Sequence, residues 1–115
     1  MYFSNLYSHP DKLLIIHLQN VAQSCLSTFR SISSNLSDYM PLEYWEKLIW
    51  LLGFSHDLGK ATTYFQTYLF EKDVQKRNEM KNKPETSHSL ISAVIGFWIA
   101  KEYVNGKDND NLHNI

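Results

Sequence analysis

The amino-acid sequence predicts an all-α domain, and two observations lead to this class. Apolar residues recur at three- and four-residue spacing in four separate segments, which is the pattern of helices that each bury one face. No stretch shows the sustained apolar–polar alternation of half-buried strands. The length of 115 residues and the 43% share of apolar residues are typical of one small domain with one core.

The first helix is predicted from about Pro10 to about Arg30. A hydroxyl at Ser8, a proline in the first turn and an early acid at Asp11 are typical of a helix start. One face of this helix carries the apolar side chains Leu14, Leu18, Val21, Cys25 and Phe29. The Ser- and Asn-rich residues 31–40 then indicate a loop.

Two helices follow this loop. Pro41 starts the first, with Glu43 in its opening turn, and its predicted inner stripe is Trp45, Leu48, Ile49, Leu52 and His56. The pattern breaks near Gly59. A third helix is predicted from about Ala61 to Phe70, with Ala61, Tyr64, Phe65, Tyr68 and Leu69 on one side.

The remainder of the chain alternates polar and apolar segments. Residues 71–87 carry mixed charges and are predicted to be a polar loop or at most a weak helix. A last helix is expected over about Ser87–Tyr103, and residues 104–115 as a polar, frayed tail. The stripe of this last helix is Ile91, Ile95, Trp98 and Ile99.

Composition excludes several classes of protein. A formal charge of −1 gives no global basic field of the kind that marks many nucleic-acid binders, although a local patch remains compatible with it. The single cysteine, Cys25, excludes an internal disulfide and suits a reducing compartment. Neither a signal peptide nor an apolar run long enough for a membrane span is present, so we expect a soluble cytoplasmic protein without membrane contact.

Three histidines lie on or beside the predicted inner stripes, namely His17, His56 and His88. Asp57 follows the apolar run 48–54, where an isolated carboxylate is costly to bury. Imidazoles with a carboxylate suit a divalent ion such as Mn²⁺, Mg²⁺, Ni²⁺, Fe²⁺ or Zn²⁺, which activates water and polarises phosphate. Lys60, one turn beyond Asp57 if the helix continues, would neutralise a phosphate oxygen or balance the charge of the site.

Each of these residues also has a structural interpretation. A histidine on an apolar face is often a hydrogen-bonded core residue, and Asp57 would suit the last turn of a helix. Lys60 would be simply solvated, or its positive charge would be favourable near the negative end of a helix dipole. The combination of groups on separate helices is what favours a metal centre.

The same residues resemble a known family, the CRISPR-associated HD nucleases. These form the nuclease part of the type I interference helicase-nuclease or a separate subunit beside the helicase. The family pattern has a histidine in an early helix, here His17. It continues with His-Asp-x-Gly-Lys at residues 56–60 and an aromatic, glutamine-containing helix at residues 64–66 (Tyr-Phe-Gln). A histidine before small residues follows at residues 88–93 (His-Ser-Leu-Ile-Ser-Ala), and the order and spacing agree over about residues 9–100.

The resemblance implies an all-α HD fold and metal-dependent cleavage of DNA, mainly single-stranded. It implies that His17, His56 and Asp57 are metal ligands and that His88 serves a second metal or the substrate phosphate. Lys60 would assist the phosphate or the attacking water. The implied partners are single-stranded DNA, the CRISPR helicase and the RNA-guided interference complex, in antiviral defence.

The sequence departs from the family pattern near its end. Family members carry a further histidine pair and a late aspartate that completes the metal shell. Here His113 is followed by Asn114, and Asp108 and Asp110 lie in a stretch typical of a linker. We therefore expect residues 1–115 to form one HD-type domain or its N-terminal part.

Two alternatives stay open at this stage. An HD phosphohydrolase acting on nucleotides would use identical site chemistry. A non-catalytic helical module would instead associate with a partner, or with itself as a homodimer, through apolar surface that an incomplete domain leaves exposed.

Overall fold

The structure, a computed structural model, describes residues 2–32 and 35–113, with side chains through residue 106. Its described part contains a short antiparallel hairpin of β1 (Tyr7–His9) and β2 (Lys12–Leu13). The described part also contains five α-helices: α1 (Leu14–Ser31), α2 (Leu42–Ser55), α3 (Thr63–Phe70), α4 (Val74–Lys81) and α5 (His88–His113). The predicted all-α class is confirmed.

The hairpin corrects the predicted start of the first helix. Pro10 and Asp11 form the turn between β1 and β2, in which Tyr7 pairs with Leu13 and His9 with Lys12. Proline fixes φ for a turn as well as for a first helical turn, and Asp is common in both settings. The helix itself begins at Leu14, whose amide donates to the carbonyl of Leu6 at 2.8 Å.

The core lies where α1 meets the hairpin and the end of α2. Leu14, Leu18 and Ala22 follow one another at four-residue spacing on α1 and are fully buried. Leu6 joins this cluster from the N-terminal segment. The partly buried residues that pack against it are Phe54, Leu58 and Ala61.

Helices α1 and α2 approach closely at Gly53. A Cβ atom added there would lie 2.9 Å from the Cα of Ala22 and 3.0 Å from the Sγ of Cys25, so a side chain would force the helices apart. Near the other end of this pair, Arg30 donates to Glu46 through Nε and Nη2 at 2.8 and 3.2 Å. The close packing fixes α1 relative to the end of α2.

The chain turns sharply after α2. A 3-10 turn spans Leu58–Ala61, and α3 begins at Thr63 rather than at Ala61. Thr62 caps α3, since its hydroxyl accepts a hydrogen bond from the amide of Phe65 at 3.2 Å.

Of the two alternatives predicted for residues 71–87, a polar loop or a weak helix, the centre of the segment adopts the second and forms α4. Asp73 caps this helix by accepting from the amides of Gln75 and Lys76 at 3.0 and 3.1 Å. Helix α4 contains no buried residue. The sequence therefore lacks the apolar stripe on which recognition of a helix depends, and only the cap signals it.

The last helix, predicted to end near Tyr103, is longer than expected, since α5 continues to His113 through the polar segment. Asn and Gly are weak helix formers, but extending an existing helix costs far less than starting one. The side chains of Asp108, Asp110 and His113 lie outside the described residues.

Several predicted inner residues face solvent instead. Trp98 is 62% exposed, Tyr64 61% and Leu52 40%. On α5 the exposed apolar stripe also includes Leu90, Val94 and Phe97. Helical periodicity identifies an apolar face but does not tell which neighbour covers it. No helix in the described ranges is long and apolar enough to cross a bilayer.

Candidate metal and phosphate site

The site is built around Asp57, at the corner where α2 gives way to the 3-10 turn. His56 follows the last residue of α2, and the carbonyl of Asp57 accepts from the amide of Lys60 at 3.0 Å. This corner turns Asp57 inward, and the residue is only 7% exposed. A buried carboxylate requires compensating partners.

Four basic side chains from three parts of the fold provide that compensation. Nε2 of His17, from α1, lies 2.7 Å from Oδ2 of Asp57 in a hydrogen bond. Nζ of Lys60 lies 3.4 Å from the same oxygen. The other oxygen, Oδ1, is 3.4 Å from Nδ1 of His56 and 3.4 Å from Nε2 of His88, at the start of α5.

These contacts perturb two titratable groups. Burial alone would raise the pKa of Asp57, but the hydrogen bond from His17 and the charges of Lys60, His56 and His88 together lower it below its ordinary value. Burial is also the largest influence on His88 and lowers its pKa against the attraction of Asp57. The carboxylate is thus held ionised while His88 is held neutral near pH 7.

The 3-10 turn is fixed against α5 by a close backbone contact. The amide of Gly59 donates to Oγ of Ser92 at 2.8 Å in a buried hydrogen bond. A Cβ on Gly59 would lie 3.0 Å from the Cα and carbonyl carbon of His88 and nearer still to its oxygen. Glycine is therefore required here to let His88 approach Asp57.

Lys60 is buried as well, with 8% of its surface exposed. Its ammonium lies 5.6 Å from the centroid of the Phe65 ring, within the range of a cation–π contact. The same ring meets the imidazole of His88 edge-on at 5.1 Å. Phe65 thus supports both side chains from beneath the site.

Gln66 connects the site to the N-terminal hairpin. Its Nε2 donates to the carbonyls of Tyr7 and Lys60, each at 2.7 Å, and its Oε1 accepts from the amide of Tyr7 at 3.1 Å. The sequence pattern included Gln66 but assigned it no role. All of its amide hydrogen-bonding groups are occupied, so it fixes β1 relative to the turn that carries Lys60.

His9 is a further neighbour that the sequence analysis missed. Its ring centroid lies 5.5 Å from that of His17, with the two rings at 81°. The Pro10-Asp11 pair is the feature of the sequence that could have revealed His9. A turn there folds β1 back beside the start of α1 and so brings His9 close to that helix.

The structure brings together most of the predicted site residues. His17, Asp57, Lys60 and His88 converge, with Asp57 and Lys60 the more deeply buried. The inward position predicted for His56 is wrong: its side chain is 61% exposed and lies at the rim of the site. His56 keeps helical backbone angles, and Leu52, one turn earlier on the same face, is also exposed, so this end of the predicted stripe faces solvent.

The donor set suits a divalent metal, since three imidazoles and one carboxylate are common ligands of such ions. Among the side chains described, however, no three His, Cys, Asp or Glu residues are disposed around one point as ligands. The imidazole nitrogens contact the carboxylate of Asp57 itself. The donor chemistry fits, and binding an ion requires these side chains to turn toward a shared point.

Comparison with known proteins gives one match. A family model described as Cas3, HD domain, matches residues 8–114, which is nearly the whole chain. No curated protein and no solved structure matches. The matched residues include the complete Asp57 cluster, and the resemblance noted in the sequence is confirmed. The chain therefore belongs to the Cas3 HD-domain family, a family of CRISPR-associated nuclease domains.

Proposed function

We propose that this chain is a metal-dependent phosphodiesterase that cleaves DNA, chiefly single-stranded, in CRISPR interference. The observation that carries the proposal is the buried carboxylate of Asp57 with His17, Lys60, His56 and His88 all within 3.4 Å. Such a concentration of ionisable groups around one perturbed carboxylate is typical of catalytic sites.

We assign the metal-binding role to His17, His56, Asp57 and His88. A divalent ion held there supplies water of lowered pKa and charge stabilisation for the phosphate. Asp57 would contribute the negative charge of the ligand set, and before an ion binds its carboxylate is oriented by the hydrogen bond from His17. His88, neutral near pH 7, has a nitrogen lone pair for the ion or a donor for a phosphate oxygen.

Lys60 is assigned to the phosphate. Its position between Asp57 and the Phe65 ring leaves the ammonium at the wall of an open groove. A buried ammonium donates strongly to a phosphate oxygen because few water molecules compete for it. Lys60 would therefore hold the scissile phosphate and oppose the charge that develops during attack.

An open site favours a polymer over an enclosed small substrate. His56 lies exposed at the rim of the site, beside a surface pocket that includes Leu52 and Phe97. A single-stranded nucleic acid lying along this side of the site would extend beyond it in both directions. Family membership supports the same substrate class and supports a CRISPR helicase and the RNA-guided complex as cytoplasmic partners.

Cleavage assays with purified protein test this function. Labelled single-stranded DNA and a panel of nucleotides are incubated with Mn²⁺ or with EDTA, using the wild type and Asp57→Asn. Metal-dependent shortening of the DNA, lost in the variant, is expected. Phosphate release from nucleotides with intact DNA would instead identify a nucleotide phosphohydrolase. Absence of both activities would favour the non-catalytic helical module.

A further inference from the structure

An open groove of about 480 Å³ runs from the Asp57 cluster toward the end of α4. Lys60 and His88 lie at its inner end, Phe65 and Tyr68 form an aromatic side, and Lys81 contributes from the last residue of α4. Ligand sites for small molecules commonly enclose about 300–1,000 Å³. The groove is thus larger than inorganic phosphate requires and is adequate for one nucleotide.

The charged side chains along the groove, Lys60 and Lys81, are both cationic. The imidazoles of His9 and His88 line it beside them, and no aspartate or glutamate is among the described residues that do so. Hydroxyl groups, including that of Ser87, add neutral donors. Although the whole chain carries a net charge of −1, this groove is suited to an anionic ligand.

His9 has a defined orientation at the hairpin side of the groove. Its Nδ1 lies 2.9 Å from Oγ of Ser8, a side chain in a residue only 2% exposed. The other ring nitrogen, Nε2, has no hydrogen-bonding partner among the residues the structure describes. Ser8 and the Gln66 contacts to Tyr7 thus hold His9 beside the site while one ring nitrogen remains available.

We propose that this groove is a subsite for the nucleotide next to the scissile phosphate of a single-stranded nucleic acid. His9 and Lys81 bind the neighbouring phosphate, and Tyr68 contacts the base or sugar. This inference rests on the proposed function, because Lys60 and His88 are taken to face the scissile phosphate. A chain of alternating phosphates and bases matches a groove with cationic ends and an aromatic side.

Equilibrium binding without cleavage tests the subsite. Fluorescence anisotropy of a labelled oligothymidylate is measured in EDTA over a range of salt concentrations. Lys81→Ala and His9→Ala should each weaken binding by about threefold to tenfold. Lys81→Ala should also reduce the slope of log affinity against log salt by about 0.7, the value for one phosphate contact on a single strand.

Lys76→Ala is the matched control, because Lys76 is an exposed lysine on the same helix that does not line the groove. It should leave affinity close to that of the wild type. Equal effects of Lys76→Ala and Lys81→Ala would overturn the subsite, since they would reflect general charge alone. Unchanged binding by both groove variants would also overturn it, even if wild-type DNA cleavage remains intact.

A single-nucleotide probe separates this inference from the proposed function. Thymidine 3′,5′-bisphosphate is titrated while the histidine ring signals are followed by NMR. Shifts at His9, weakened by Lys81→Ala and unchanged by Lys76→Ala, support the subsite even in a protein that cleaves nothing. If the wild type cleaves DNA but the bisphosphate leaves the His9 signal unmoved, the nuclease assignment stands and the subsite is rejected.

Discussion

Replacing Gly59 by alanine should damage both the stability and the site geometry. Gly59 does not adopt a positive φ, so its backbone suits alanine and the cost comes from contact with α5. The new Cβ would lie 3.0 Å from two backbone carbons of His88 and nearer to its carbonyl oxygen. Normal packing requires a displacement of about 1 Å, because carbon contacts are optimal near 3.5–4.0 Å.

The size of the effect follows from this displacement. Overpacking of this kind costs about 1–3 kcal/mol, and a weakened buried hydrogen bond from Gly59 to Ser92 adds about 1 kcal/mol. Alanine also lowers the conformational entropy of the unfolded chain, which offsets about 0.4–1 kcal/mol of this loss of stability. The free energy of unfolding should therefore fall by about 1–3 kcal/mol, and movement of His88 by 1 Å should reduce cleavage by about 10²-fold.

Urea unfolding and initial cleavage rates measure the two effects. Gly106→Ala is the control, since a Cβ at Gly106 meets nothing within 4 Å. That substitution lies within α5 and should raise stability by about 0.5–1 kcal/mol. If Gly59→Ala were as stable and active as the wild type, the close approach of the turn to α5 could not be what positions His88.

Three further predictions concern the groups around the site. Gln66→Leu should lower the free energy of unfolding by about 2–4 kcal/mol in urea titrations, because three buried or partly buried backbone groups lose their hydrogen-bond partner; a loss below about 0.5 kcal/mol would show that Gln66 does not hold β1 against the turn. Ser92→Ala should cost about 1–3 kcal/mol by leaving a buried amide unpaired, whereas the exposed Ser89→Ala should change stability little. In EDTA, stability should decline as pH falls below about 6.5, because the lowered pKa of His88 means that the unfolded chain binds the proton first. His88→Asn should remove that decline, and an unchanged pH profile in this variant would show that His88 does not cause it. The lowered pKa of Asp57 should produce a second loss of stability only as pH falls below its ordinary value of 3.8.

The sequence predicted the helical class and the main residues of the site for identifiable reasons. Helical spacing placed Leu14 and Leu18 on a buried face, and His17 lies on the same helix within reach of Asp57. The apolar run before Asp57 indicated burial of the carboxylate. These features depend on local periodicity, which a single sequence records directly.

Other features depend on information that local periodicity does not contain. Pro10-Asp11 is compatible with a helix start or a turn, and only packing of β1 against Gln66 distinguishes them. Because the hairpin was not predicted, the position of His9 beside His17 was not predicted either. His56 keeps helical backbone angles and shares a face of α2 with the exposed Leu52. The sequence identified that face as apolar but could not tell that no neighbouring element covers this end of it.

Helix α4 illustrates a further limit. It has no buried residue, so its apolar pattern is absent, and its formation depends on the cap at Asp73. The exposed apolar stripe on α5 shows the converse case, in which a strong pattern does not identify a buried face. Burial is a property of the neighbours that a helix meets, and the helix sequence alone does not specify them.

Direct measurement of metal binding tests the central claim that the groups around Asp57 form a divalent metal centre. Mn²⁺ is titrated into EDTA-stripped protein and free Mn²⁺ is followed by electron paramagnetic resonance. Asp73→Asn is the control, because asparagine also caps helices and the residue is exposed. We expect saturable Mn²⁺ binding by the wild type and Asp73→Asn, with affinity reduced at least about tenfold in Asp57→Asn. Equal Mn²⁺ affinity in all three proteins would rule out a metal centre built on Asp57.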